Sequence, residues 1–219
     1  MKKILCFIPA RGNSQGLKKK NLNKIFNKTL TEITINLAKK SRLFYKVVLS
    51  SDSLQILKIG KKSNIETHLR PKKLSLPTSR TEEALTYSLE KLVDKPNYIL
   101  ILQVTSPLRK LATLKSFVKE CISKNYDFCL SVSSMDKQIS NKQKYFTPLN
   151  NLKARRRQDR KPFLYENSLI YFVKYDSFLK TKSIFSKKWN YIITDEYESI
   201  DIDDQKDLDV CKKLYKNNK

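Results

Sequence analysis

The residues that first suggest chemistry lie directly after an apolar run at the start of the chain. Residues 4–9 are apolar, and residues 10–21 contain Arg11, three lysines, two of the three glycines and several small polar side chains. Glycine lets backbone N–H groups approach a ligand closely, and fixed cations balance the charge of phosphate groups. This composition indicates a phosphate-binding turn, although a solvated lysine-rich loop would have the same composition. The Walker and dinucleotide-binding glycine patterns are both absent.

Two carboxylates near the end of the sequence could hold a metal ion. Asp201 and Asp203 are two positions apart, so their side chains lie on the same side if the segment is extended. Mg²⁺ keeps several waters, bridges substrate phosphates and takes one or two carboxylates from the protein. The alternative is that Asp203 or Asp204 caps the last predicted helix.

A third group of polar side chains follows a predicted buried strand. Gln103, Thr105 and Ser106 come after the apolar run 98–102. In open α/β sheets, ligands bind at the carboxyl ends of the strands, so these side chains are predicted to face a ligand. Ser106 is not expected to act as a nucleophile, because no base is identified near it.

Strands and helices alternate along the sequence, which predicts the elements that position these groups. Apolar runs predict strands at residues 3–9, 47–49, 65–68, 98–103, 127–132, 169–173 and 191–193. Helical spacing predicts helices at about 30–41, 54–61, 79–93, 110–124 and 204–216. We expect one α/β domain over residues 1–219, with a mostly parallel sheet and helices on both faces.

The polar region from about 137 to 165 is predicted to leave the sheet and return to it. Such an excursion is either a flexible flap or a dimerisation arm. It carries Arg156 and Arg157, whose guanidinium groups would pair well with the carboxylate or phosphate of an anionic ligand. A solvated run of charge is the other interpretation of this cluster.

Composition limits the class of protein. The net charge of +24 comes from 36 lysines and nine arginines that are spread over almost every segment, with no recognisable nucleic-acid-binding motif. We therefore expect no specific nucleic-acid partner.

No apolar run reaches eighteen residues, so no membrane association is expected either. The four scattered cysteines are typical of buried thiols in a reducing compartment, which predicts a cytoplasmic protein.

Ordered motifs extend over nearly the whole sequence. They occupy residues 8–14 with 20–21, then 49–52, 69–74, 102–109, 156–159, 167 and 199–203. In this order they resemble the motifs of the CMP-sugar synthetases, also called acylneuraminate cytidylyltransferases. The chain departs from the family pattern at Gln15, Val104 and Ser168, where the pattern has lysine, proline and glycine.

The resemblance implies a Rossmann-like nucleotide-diphospho-sugar transferase fold and an activity. The anomeric hydroxyl of a nonulosonic acid would attack the α-phosphate of CTP, giving a CMP-sugar and pyrophosphate, with Mg²⁺ as cofactor. The implied catalytic residues are Arg11, Lys20 and Asp201, and the implied metal ligands are Asp201 and Asp203. The implied nucleotide-binding residues are Ala10, Arg11, Gly12, Asn13, Ser14, Lys20, Asn21, Arg70, Ser79 and Gln103. The implied sugar-binding residues are Gln103, Thr105, Ser106, Arg157 and Asn167.

The resemblance also implies a homodimer whose arm carries Arg157 into the partner's active site. It leaves open whether the acceptor is a sialic, legionaminic or pseudaminic acid. A 3-deoxy-manno-octulosonate cytidylyltransferase or another sugar nucleotidyltransferase is the alternative enzyme. A catalytically inert protein that binds nucleotide sugars or nucleic acid is the alternative from a different class.

Overall fold

The computed structural model describes residues 2–141, 149, 156–186 and 189–216. The strands are β1 (Ile4–Pro9), β2 (Lys24–Ile25), β3 (Lys28–Thr29), β4 (Lys46–Ser51), β5 (Glu66–Leu69), β6 (Tyr98–Ile101), β7 (Phe128–Met135), β8 (Phe163–Lys174) and β9 (Asn190–Ile193). The α-helices are α1 (Leu30–Ser41), α2 (Leu54–Lys62), α3 (Thr81–Glu90), α4 (Leu111–Ser123), α5 (Tyr175–Thr181) and α6 (Gln205–Lys216). Short 3₁₀ turns occupy Lys20–Leu22, Lys72–Ser75 and Arg157–Asp159.

Seven strands form a mixed sheet in the order β5-β4-β1-β6-β8-β7-β9. The pairs β4–β5, β1–β4, β1–β6 and β7–β9 are parallel, whereas β8 runs antiparallel to both β6 and β7. The predicted α/β fold with a mostly parallel sheet is confirmed. Because β5, β4, β1 and β6 run in the same direction, the segments that follow them meet at one edge of the sheet.

The core lies on both faces of this sheet, and β1 shows why. Its alternate residues Ile4, Cys6 and Ile8 pack into one cluster, while Leu5 and Phe7 pack into the other. This is the period of two that a strand imposes. The first cluster includes residues of α1, α2, α4 and α6, and the second includes residues of α3 and α5. Helices therefore cover both faces, as the sequence predicted.

Three features differ from the sequence prediction. Strand β8 begins at Phe163, six residues before the predicted start. Its first half was missed because it alternates between half-buried and exposed positions and does not form an apolar run. The hairpin β2–β3 and the short helix α5 were not predicted, since elements of this length have little hydrophobic periodicity.

The predicted excursion leaves and rejoins the sheet at neighbouring positions. Met135 at the end of β7 pairs with Phe163 at the start of β8, so the two strands form an antiparallel pair around the intervening segment. Residues 142–148 and 150–155, which make up much of the predicted arm, lie outside the described residues. Within the described ranges, no helix combines the length and apolar character needed to cross a membrane.

Candidate active site

A cleft of about 300 Å³ opens at the carboxyl ends of β1 and β6. Its walls come from the turn after β1, the segment after β5, the segment after β6, strand β8 and the segment before α6. The predicted site residues that line it are Arg11, Ser14, Lys20, Asn21, Arg70, Ser79, Gln103, Thr105, Asp201 and Asp203. The fold thus brings together polar groups that are distant in sequence.

The turn after β1 is held in place by hydrogen bonds to its neighbours. The Gly12 N–H donates to Asp52 Oδ1 at 2.8 Å, and Asn21 Nδ2 donates to the Arg11 carbonyl at 2.8 Å. Thr31 Oγ1, in the first turn of α1, donates to the Asn21 carbonyl at 2.7 Å. The side chain of Asn21 therefore fixes the backbone that carries Arg11 into the cleft.

The same turn packs closely against the carboxylate segment. A Cβ added at Gly16 would lie 2.4 Å from the Asp203 carbonyl oxygen, a distance that no side chain could occupy without moving the backbone. Only glycine fits this approach. The predicted phosphate-binding turn and the candidate metal ligands are thus parts of one packed unit.

Three cations contribute to the cleft in different ways. Lys20 is buried, and its Nζ donates to Asp203 Oδ1 at 2.7 Å. Arg70 is also buried, with its Nε donating to Ser75 Oγ at 2.7 Å. Burial lowers the pKa of the Arg70 guanidinium, Asp52 opposes this, and the positive charge of Arg11 lowers the pKa further. Positive groups that repel one another beside an open cleft favour an anionic ligand.

The two carboxylates lie in different environments. Asp203 is largely exposed, whereas Asp201 is half-buried, and its Oδ1 has no hydrogen-bond partner among the described residues. Burial raises the pKa of the Asp201 carboxyl, a hydrogen bond with Thr105 opposes the rise, and the charge of Asp203 adds to it. The Ile202 N–H donates to the Thr105 carbonyl at 2.9 Å and ties the segment to the end of β6.

These residues fit a divalent cation of the magnesium type. A buried carboxylate oxygen without a partner is costly unless a cation or donor reaches it. Two carboxylates suffice for Mg²⁺ beside a nucleotide, because waters and phosphate oxygens supply its other ligands. Across the described part of the chain, no cluster of three or more His, Cys, Asp or Glu residues could hold a metal by itself.

Six predicted site residues do not line the cleft: Ala10, Gly12, Asn13, Ser106, Arg157 and Asn167. Ala10 is buried in the core, and Gly12 acts through its backbone. Asn13 is exposed on the turn. Ser106 is fully buried, and its hydroxyl has no partner among the described residues.

Asn167 and Arg157 have protein partners of their own. Asn167 is 4% exposed and donates from Nδ2 to Ser133 Oγ and Thr194 Oγ1, both at 2.8 Å. Its amide thus holds the sheet together beside the cleft. The Arg157 side chain is 80% exposed and pairs with Asp136 near the base of the predicted arm.

Several lining residues were not predicted: Pro9, Leu74, Ser75, Leu76, Arg80, Thr81, Val104 and Ser168. Four of them lie in the segment between β5 and α3, which contains four cations but no glycine. Ser75 could have been predicted as a partner of Arg70, because its hydroxyl lies only five residues further along the sequence. Ser168 has a φ of 57°, and the glycine that the family pattern has at this position was its one signal in the sequence.

Comparison with known proteins identifies the family. A model of one protein family, described as cytidylyltransferase, matches residues 5–219. The chain belongs to the cytidylyltransferase family. An N-acylneuraminate cytidylyltransferase from Streptococcus agalactiae is 31% identical over 215 residues, and the match covers 94% of this cytidylyltransferase. The chain spans about half the length of that relative, since the match covers 52% of it.

Two further matches cover nearly the full length of both proteins compared. A pseudaminic acid cytidylyltransferase from Campylobacter jejuni is 27% identical over 227 residues, covering 99% of this cytidylyltransferase and 97% of the relative. The solved structure of a CMP:2-keto-3-deoxy-manno-octonic acid synthetase complexed with CTP has a TM-score of 0.76, covers 100% of both chains and is 12% identical. At that identity the structural match establishes the fold.

Proposed function

We propose that this cytidylyltransferase transfers CMP from CTP to a nonulosonic acid of the sialic, legionaminic or pseudaminic type, releasing pyrophosphate. The observation that carries the proposal is the cleft itself. It sets Arg11, Lys20 and Arg70 beside Asp201 and Asp203 at the carboxyl ends of parallel strands. Relatives that span nearly the whole chain include a pseudaminic acid cytidylyltransferase and a CMP-N,N'-diacetyllegionaminic acid synthase, which supports this class of acceptor.

In the proposed mechanism, the protein positions both substrates and neutralises charge. Nucleotidyl transfer requires an in-line approach of the attacking hydroxyl to the α-phosphate and stabilisation of the leaving pyrophosphate. Arg11 and Lys20 bind the triphosphate and offset the charge that builds up on the leaving group. The Lys20 ammonium, now 2.7 Å from Asp203, lies where phosphate oxygens can share it.

Asp201 and Asp203 would hold Mg²⁺, which polarises the phosphates when bound. Asp201 supplies an oxygen that has no described protein partner, and Asp203 supplies an exposed carboxylate beside Lys20. The packing of Gly16 against the Asp203 carbonyl keeps these groups next to the triphosphate turn. The chain's own contribution is therefore a fixed spacing between the phosphate-binding cations and the carboxylates.

We assign the other cleft residues to contacts with either the nucleotide or the acceptor. Ser14 and Arg70 contact the nucleotide directly, and Asn21 acts by fixing the Arg11 backbone. Gln103 and Thr105 face the acceptor from the end of β6. These assignments follow the order of the strands that supply the cleft walls.

A homodimer in the cytoplasm is the proposed working form. Arg157 is exposed beside the predicted arm, and its pair with Asp136 is of the weak, solvent-screened kind, so it can be redirected to a sugar carboxylate in the partner's site. The four cysteines are free and buried, which is the usual state of thiols in a reducing compartment.

The proposal is tested by pyrophosphate release with Mg²⁺, each of four nucleoside triphosphates and a panel of acceptors. We expect release with CTP and a nonulosonic acid. Release with CTP and 3-deoxy-manno-octulosonate alone would replace the proposed acceptor with the alternative one. Lack of release with every pair would overturn the proposal.

A further inference from the structure

Strand β8 is interrupted where it passes the cleft. Leu130 pairs with Tyr171, but the next pair is Val132 with Glu166, so four residues of β8 lie opposite one residue of β7. Ile101 at the end of β6 also pairs with Tyr171, and the part of β8 before Tyr171 therefore extends past the carboxyl end of β6. Bulges of this kind redirect side chains and are frequent beside active sites.

The conformation of this bulge is fixed by Asn167. Its Nδ2 donates to Ser133 on β7 and to Thr194 just after β9, while its Oδ1 accepts from Ser131 Oγ at 2.7 Å. The Leu169 N–H also donates to Oδ1, at 3.2 Å. A buried network with so many satisfied partners leaves the neighbouring backbone little freedom.

The residue that this network presents to the cleft is Ser168. It lies in the left-handed region with φ 57°, which is unfavourable for a residue with a Cβ and is tolerated where surrounding contacts impose it. Ser168 is one of the residues that line the cleft. A serine here, unlike glycine, fills part of the cleft with a Cβ and a hydroxyl.

The hydroxyl of Ser168 has a protein neighbour within hydrogen-bond distance, the hydroxyl of Tyr171. The Tyr171 hydroxyl donates its single proton to the Glu166 carboxylate and lies 3.3 Å from Ser168 Oγ, so Ser168 is the donor in this second contact. Because Ser168 donates its proton on this side, its oxygen can still accept a hydrogen bond from an O–H or N–H of a ligand in the cleft.

The order of the strands indicates which substrate Ser168 meets. The triphosphate turn follows β1, and Arg70 follows β5 on the far side of β4. Ser168 lies on β8, beyond β6 and about 10 Å from β1, since neighbouring strands are about 4.8 Å apart. The nucleotide side and the β8 side of the cleft are thus separated by β6, and the acceptor belongs on the β8 side.

We propose that Ser168 is a specificity-determining residue for the acceptor sugar. Its Cβ restricts which acceptors fit beside the bulge, and its hydroxyl oxygen accepts a hydrogen bond from a hydroxyl or an amide N–H of the sugar. The inference rests on the proposed cytidylyl transfer, and it assigns the recognition of the acceptor to the β8 bulge.

The test compares wild type, Ser168→Ala and Ser168→Gly with sialic, legionaminic and pseudaminic acids. Loss of the hydroxyl in Ser168→Ala is expected to raise the KM for the preferred acceptor about three- to tenfold, with the KM for CTP unchanged. Loss of the Cβ as well in Ser168→Gly is expected to change the ratio of kcat/KM between two acceptors by about tenfold.

The matched control is Asn64→Gly, which relieves a similar φ of 51° at an exposed position away from the cleft. It is expected to leave acceptor ratios unchanged, and melting temperatures of all variants separate stability from recognition. Active Ser168 variants with unaltered acceptor ratios, or with a changed KM for CTP instead, would overturn the inference. A wild-type protein that releases no pyrophosphate would overturn the proposed function itself, which is a different result.

Discussion

At the scale of single residues, the cleft depends on an ion pair whose two members differ in exposure. The Lys20 side chain is 11% exposed, whereas that of Asp203 is 79% exposed. A buried ammonium needs a partner, while an exposed carboxylate is already solvated. The pair therefore orients Lys20 at the cleft more than it stabilises the fold.

Lys20→Ala is expected to lower kcat about 100- to 1,000-fold, as the loss of one charged group that stabilises the transition state typically does. The fold should persist, because the partner left behind is exposed. Pyrophosphate release measures the activity, and circular dichroism verifies the fold. Lys61→Ala, at an exposed position on α2, is the control and should retain wild-type activity. A Lys20→Ala protein with normal turnover would contradict the assignment.

Asp201→Asn keeps the size of the side chain and removes its charge. The Mg²⁺ concentration for half-maximal activity is expected to rise about tenfold or more, because a neutral amide is a poorer ligand for a hard cation. A titration of pyrophosphate release with Mg²⁺ measures the change, and removal of the metal with EDTA should abolish wild-type activity reversibly. Asp209→Asn, on the exposed side of α6, is the matched control. An unchanged Mg²⁺ requirement would exclude Asp201 as a ligand.

The charge and glycine content of the segment after β1 predicted the turn that carries Arg11, whereas the resemblance to the family selected Lys20 and Asp201. All three residues line the cleft. The φ of Ser168 and its place in the cleft arise from pairing with β7 and β6, so the sequence marked this position only through the glycine of the family pattern. The contacts of Asn167 could not be predicted from the sequence either, because they too depend on the tertiary structure. Its partners Ser131, Ser133 and Thr194 lie at least 27 positions away in the sequence.

At the scale of elements, β8 lies in the sheet between the parallel strands that end with β6 and the strands β7 and β9. Hydrogen bonds of Asn167 hold β8 to β7 and to the segment just after β9. Asn167→Ala would remove the hydrogen bonds that the amide makes with the hydroxyls of Ser131, Ser133 and Thr194. At about 1 kcal/mol for each lost hydrogen bond, we expect the free energy of unfolding to fall by about 2–4 kcal/mol. Urea denaturation monitored by circular dichroism measures this change.

The control for this variant is Asn36→Ala on α1, a half-buried helical site where alanine is the better helix former. It should change the free energy of unfolding by less than about 0.5 kcal/mol. Equal effects of the two substitutions would show that the network around Asn167 contributes little to stability.

The strands most clearly marked in the sequence were those buried on both faces. β1 and β6 are continuous apolar runs because residues on both of their faces enter one of the two core clusters. The first half of β8 lies toward the predicted arm and alternates in exposure, so the sequence identified only its buried second half. The antiparallel direction of β8 follows from its connection to β7, which hydrophobic periodicity does not encode.

At the scale of the whole molecule, the open question is whether one chain contains a complete active site. Lys20 and Asp201 line the cleft, whereas Arg157 pairs with Asp136 in a separate cleft beside the predicted arm. If the arm crosses to a partner, each site combines Lys20 from one protomer with Arg157 from the other. Two differently damaged protomers can then complement each other.

Co-expression of Lys20→Ala and Arg157→Ala chains tests this arrangement. Each homodimer is expected to be inactive, but a mixed dimer has one site with Lys20 of one protomer and Arg157 of the other both intact. Random assortment makes half of the dimers mixed, so about one quarter of wild-type activity should return. Co-expression of Lys20→Ala with Asp201→Asn is the control, and it should restore nothing, because both residues belong to the cleft of one protomer. Equal recovery in the two mixtures, or none in the first, would place Arg157 outside the partner's site.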